Sequence, residues 1–110
     1  MELPPEDAKL VTLARASRAR LQVAQGAAVR DLDGRTYAAA TVRLGSLSIP
    51  ALDLAVAMAV SSGAKGLEAA ALVTEGDVPV TLDAVVEFGG RGVTVVVADP
   101  AGVVDSVLTT

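Results

Sequence analysis

The sequence contains no cysteine, no histidine, no tryptophan and no asparagine, and Tyr37 and Phe88 are its aromatic residues. Without cysteine there is neither a disulfide nor a thiolate metal site. Without histidine the commonest metal ligand and the side chain best matched to acid–base work near neutrality are also gone. The zinc recipes built from those residues fail, and no metal or cofactor is expected. Two rings in 110 residues make no stacking platform, so binding to single-stranded nucleic acid is not expected. Nor is there a run of roughly 20 apolar residues of the kind that spans a bilayer. The opening Met1-Glu2-Leu3-Pro4-Pro5-Glu6-Asp7 has no basic n-region and no apolar h-region, so no membrane contact and a cytoplasmic location are expected. Lysine occurs twice and isoleucine once, while Ala, Val, Gly and Arg abound, a usage that GC-rich codons produce and that points to a bacterial source.

What is present is a supply of small and medium apolar side chains. Hydrophobic residues make up 52% of the chain, so one core built from Val, Leu and Ala is expected, in a single domain over residues 1–110 with 1–7 as a flexible N-terminus. The net charge of −4 is unevenly placed. Residues 1–43 carry seven basic and five acidic groups, and residues 44–110 carry two basic and eight acidic ones. Such polarity steers a partner or a neighbouring subunit, or simply marks two solvated faces.

Along the chain, Pro4-Pro5 with Glu6 and Asp7 opens a helix whose Arg15, Arg18 and Arg20 gather toward its other end, both placements suiting the macrodipole. Leu10, Leu13, Ala14, Ser17 and Leu21 recur at helical spacing and form the predicted inward stripe, with the arginines on the other faces. Residues 23–30 and 36–43 read as two strands of a hairpin, turned by Asp31-Leu32-Asp33-Gly34 with Gly34 at a positive φ. From 49 to 63 a helix starts near Pro50 and closes at Gly63. Only Asp53 is charged within it. A helix with no polar face is a buried helix, so protein should cover this one on every side. Residues 67–74 and 92–98 read as strands, with a helix over 81–88 between them, ended by Gly89-Gly90. That spacing suits a parallel crossover, and the Val-rich second strand suits a central, doubly covered position. A turn at 99–102 leads into an edge strand over 103–108.

Gly26-Ala27-Ala28-Val29, Asp33-Gly34, Val42, Ser46, Ala51, Ala55, Ala59 and Gly63 together resemble the signature region of the cytidine deaminase family, and Glu87-Phe88 matches a further landmark. The resemblance runs over about residues 8–104. It implies a three-layer α/β/α fold with a mixed sheet of about five strands, and assembly as a dimer or tetramer with the central helix near the subunit contacts. It also implies where a deaminase site would lie. In the family a Phe lining the pyrimidine pocket stands at the position of Val23. An Asn and a Glu that hold the ribose stand at Thr41 and Arg43. The Cys-Ala-Glu that binds zinc and relays protons falls on Pro50-Ala51-Leu52, and the remaining two zinc cysteines fall on Val78 and Thr81, preceded at Asp77 by a family Pro.

None of these replacements keeps the chemistry. Pro50 and Val78 offer no ligand atom, Leu52 carries no proton, and Val23 has no ring. A guanidinium at Arg43 only donates hydrogen bonds where the ribose needs an acceptor. Thr41 and Thr81 retain a hydroxyl each. The chain is expected to be a catalytically inactive homologue, not an enzyme, serving as a structural or regulatory interaction module and forming a homo-oligomer, with a further protein partner open. The alternative is a non-catalytic pocket for a nucleoside, nucleotide or related small molecule, in which Arg43 suits a phosphate.

Other constellations carry less. Gly89-Gly90-Arg91-Gly92 precedes a strand and not a helix, so it is no phosphate-cradling loop. Glu75, Asp77, Asp83 and Glu87 lack calcium-loop spacing. Ser46, Ser48, Ser61 and Ser62 have no histidine partner, and nothing in the spacing joins one to Lys9 or Lys65.

Overall fold

The computed structural model describes residues 2–76 and 78–110. Its elements are α1 (Pro5–Leu21), β1 (Gln25–Asp31), β2 (Thr36–Ala40), β3 (Val42–Arg43), β4 (Ser48–Ile49), α2 (Ala51–Ser61), β5 (Leu67–Thr74), α3 (Asp83–Gly89), β6 (Thr94–Ala98) and β7 (Val104–Thr109). Five strands form one sheet in the order β2-β1-β5-β6-β7. Only β5 and β6, joined through α3, run parallel within this mixed sheet.

Small residues explain how three layers close over so short a chain. On one face of the sheet Ala28, Ala69, Ala71, Val73 and Val96 pack against Leu10, Val11 and Ala14 of α1. On the other, Ala27, Val29, Ala70, Leu72 and Val95 meet Leu52, Ala55, Val56 and Ala59 of α2 and Val85 of α3. Each central strand therefore divides its side chains between two buried faces, as the period of two requires. Gly26 sets the closest approach: a Cβ there would collide with the carbonyl oxygen of Ala14 and with Arg18.

Arg30 ties α1 to the sheet. Its guanidinium donates to Asp7 Oδ1 at 3.0 Å, Glu68 Oε1 at 3.0 Å and the carbonyl of Glu6 at 3.0 Å. Burial alone would lower the pKa of Arg30, but the bonds to Glu68 and Asp7 outweigh it and raise it. Against the expectation of a flexible 1–7, Pro5–Asp7 form the first turn of α1 and Asp7 is buried.

Other expectations are corrected as well. The inward face of α1 is Asp7, Leu10, Val11, Ala14 and Ser17, whereas Leu21 is exposed, since the helix ends there in a left-handed residue, Gln22 at φ 53°. Arg18 does not simply face solvent: it donates to Glu75 at 2.8 Å and to the carbonyl of Ala24. The expected strand 36–43 is two pieces. The N–H of Thr41 donates to the carbonyl of Gln25 at 3.1 Å, after which the chain leaves the sheet, and Val42–Arg43 pair with Ser48–Ile49 in a separate ribbon. β1 starts at Gln25 rather than 23, and β6 at Thr94, beyond Gly92 at φ 87°.

Within one chain α2 is covered in part. Its Ala51, Leu52, Ala55, Val56 and Ala59 are buried, but Ala57, Met58 and Val60 are exposed. The sheet and α3 meet one side of this helix, and among the described residues Tyr37 borders the other without covering it. Gly63 does lie just beyond its end, at φ 88°. Among the described residues no helix is long and apolar enough to cross a membrane.

Candidate functional site

A cavity of about 260 Å³ lies where β1 begins and β5 ends, with the β3-β4 ribbon on one side and the start of α2 on another. Of the positions singled out in the sequence, Thr41, Arg43, Pro50, Leu52, Val78 and Thr81 all line it. Val23 does not. It lines an adjoining cavity with Leu21, Val42 and Leu44, and Ala24, Thr41 and Arg43 border both spaces.

Each of these side chains is placed by a local feature of the chain. The departure of the backbone from the sheet at Thr41 brings Thr41 to the wall, and its hydroxyl donates to the carbonyl of Gln25 at 3.3 Å. That bond uses the proton a ligand would need. Arg43 ends β3 opposite Ser48, is exposed, and pairs with no described carboxylate. Pro50 stands in extended conformation at φ −60° as the residue before α2, which has no side-chain cap. The loop after β5 contributes Val78, Pro79 and Thr81. Asp77 lies outside the described residues.

Gln25 is the wall residue that reading the sequence missed. It is 5% exposed, and its Nε2 donates to Thr74 Oγ1 at 3.1 Å, which in turn donates to the carbonyl of Glu75. A signal was available, since Gln25 stands in front of Gly26-Ala27-Ala28 where the resembled motif Val-Gly-Ala-Ala has valine. A polar side chain in that apolar place is costly to bury unless it is hydrogen-bonded, which the contact to Thr74 provides.

Zinc does not fit these residues. Pro50 and Val78 have no donor atom, and Thr81 offers a single neutral hydroxyl. Among the described residues no three His, Cys, Asp or Glu side chains gather to hold a metal. Of the acidic residues considered from the sequence, Glu75 is paired with Arg18.

A second polar cluster belongs to the β1-β2 turn. Asp31 is 1% exposed. Its Oδ1 accepts from the N–H groups of Asp33 and Arg35, both at 2.9 Å, and its Oδ2 accepts from the hydroxyl of Tyr37 at 2.8 Å. Burial pushes this carboxyl up, but the Tyr37 hydroxyl and the two N–H groups prevail and hold it below its ordinary value of 3.8. The same bond to Asp31 raises the Tyr37 phenol. The arrangement closes a hairpin and involves no residue of the cavity.

The family model described as cytidine deaminase-like matches residues 3–102. The chain belongs to the cytidine deaminase-like family. Among solved structures, cytidine deaminase from Burkholderia pseudomallei is 23% identical, with 92% of this chain and 90% of that chain covered and a TM-score of 0.78. Cytidine deaminase from Mycobacterium leprae is 21% identical over 92% of this chain and 90% of its own, at a TM-score of 0.71. The Mycobacterium tuberculosis enzyme is 26% identical over 79% of this chain and 80% of its own, at a TM-score of 0.67. No curated protein sequence matches the chain.

Proposed function

We propose that this chain is a catalytically inactive member of its family, retained as a structural or regulatory interaction module. One observation carries the reading. The positions that would bind zinc and relay protons converge on a single cavity, and they hold Pro50, Leu52, Val78 and Thr81. Deamination by the family's route needs a metal to activate water and a carboxyl group to move protons. No side chain at these four positions supplies either.

The interaction role rests on α2. Leu54, Ala57, Met58 and Val60 leave an apolar strip along the outer side of the helix, beside Tyr37. A strip of this kind on a small domain suits burial against another subunit, and a homo-oligomer, dimer or tetramer, is the assembly proposed. Native mass spectrometry of protein purified from its own cells tests this. A complex of two or more copies, or one carrying a second protein, is the expected result, and a bare monomer at micromolar concentration would refute it.

A second reading, a non-catalytic pocket for a small molecule, is favoured by a different observation. The cavity has not been filled by its replacements, and it has a buried amide at Gln25 and a cation at Arg43 on its wall.

A further inference from the structure

We infer that the cavity between β1, the β3-β4 ribbon and α2 takes a small organic anion, a carboxylate or a phosphate monoester, with its charge between Arg43 and the first turn of α2. This deepens the second reading above and rests on it.

Three independent features converge. The first is the guanidinium of Arg43, which meets no described carboxylate and stands on the wall of the cavity. An arginine so placed gives paired, charge-assisted donors to a planar carboxylate or a phosphate. The second is the start of α2. The first bond of the helix is from the N–H of Leu54 to the carbonyl of Pro50 at 3.0 Å, and Pro50 has no side chain with which to cap it. The N–H of Leu52, a residue that lines the cavity, finds no acceptor among the described residues, and the carboxylate of Asp53 in the same turn does not accept from it. A backbone donor facing a cavity is satisfied by water or by a ligand, and at a helix start the ligand it favours is negative. The third is Gln25, whose Nε2 is held by Thr74 while its Oε1 accepts from none of the described residues. That oxygen is left to take a hydroxyl or amide proton of a ligand.

The remaining wall is apolar: Leu52, Leu72, Val78 and Pro79. No described carboxylate lines the space. A ligand that satisfies all of this has a compact apolar body, one anionic group and one donor. The volume of about 260 Å³ is just below the usual range of about 300–1,000 Å³ for small-molecule sites, which sets the ligand toward the small end.

The test uses the whole chain and three probes that share one ring: phenyl phosphate, benzoate and the neutral benzyl alcohol, each titrated at matched ionic strength while backbone amide NMR signals are followed. At least one of the two anions should move the signals of Ala51 and Leu52, and benzyl alcohol should move them far less. The tighter of the two identifies the anionic group. Arg43→Gln, a change at an exposed ribbon position, should weaken that binding about tenfold or more, the loss of one charge-assisted contact. Arg20→Gln, on the exposed side of α1, should leave it unchanged. An equal response to benzyl alcohol, no response to either anion, or binding undiminished in Arg43→Gln would overturn the inference. An equal response to benzyl alcohol leaves the small-molecule pocket standing without its preference for an anion, whereas silence to all three probes removes the pocket reading as well.

Discussion

Asp31 shows how much one side chain can hold. It is buried at the end of β1 and accepts three hydrogen bonds, so its charged form is favoured in the folded chain and its pKa is depressed. The sign follows from linkage. A carboxyl depressed on folding contributes stability that is fully present above its unfolded value, and that is lost as pH falls through the folded one. Asp31→Asn should therefore lower the melting temperature at neutral pH and flatten the decline in stability below about pH 4, as read by thermal unfolding across an acid series. An unchanged acid limb would show that Asp31 is not the group responsible. Tyr37→Phe, which removes one of the three bonds and keeps the ring, should give a smaller change in the same direction.

At the level of single residues the sequence was informative about absence and less so about replacement. The absence of cysteine and histidine is visible in composition, and no shift of alignment supplies them. Gln25 was harder to see, because a glutamine at a strand start looks like an edge residue until Thr74 of β5 is brought beside it. Thr41 was legible as a hydroxyl but not as one already donating to Gln25, since that bond depends on where β2 stops.

Among the elements, the contact of α1 with β1 is the tightest. Gly26→Ala would place a methyl group against the carbonyl oxygen of Ala14 and against Arg18. Neither is a freely movable side-chain tip, so the helix would have to lift from the sheet. Overpacking of this kind costs about 1–3 kcal/mol, and a cost near the upper end is expected in urea unfolding. A variant as stable as the parent would mean that α1 rests further from the sheet than it does here.

Helices and central strands were legible because their periodicities are set by burial on one or two faces, as in the stripe of α1 and the valine run of β6. The split of residues 36–43 into β2 and β3 was not. Nothing in Thr36 to Arg43 marks a break, and the chain leaves the sheet only after Thr41, whose N–H and hydroxyl both donate to the carbonyl of Gln25 sixteen positions away. The composition of α2 misled in the opposite sense. A helix apolar on all sides implies that something covers it, yet in a single chain its Met58 and Val60 are 37% and 50% exposed.

That exposed side of α2 is the surface on which the proposed assembly rests. If a second copy covers it, Met58→Glu with Val60→Glu places charge in the contact without disturbing Ala51, Leu52, Ala55, Val56 or Ala59 on the inner face. The expected result is a mass near the 11.0 kDa of one chain in light scattering, with the circular dichroism of the parent retained. An assembly unaltered by both charges would place the interface elsewhere.

The chain has the α/β architecture of its family, and a cavity lies at the mouth of its sheet. Pro50, Leu52, Val78 and Thr81 line it together, and the proposed inactivity rests on those four side chains. The most direct measurement is incubation of the purified full chain with cytidine, zinc supplied, following loss of substrate and appearance of uridine against a control without protein. The account predicts no uridine above that control at any protein concentration. Uridine forming at a rate proportional to the protein added, and persisting after repeated purification, would contradict it.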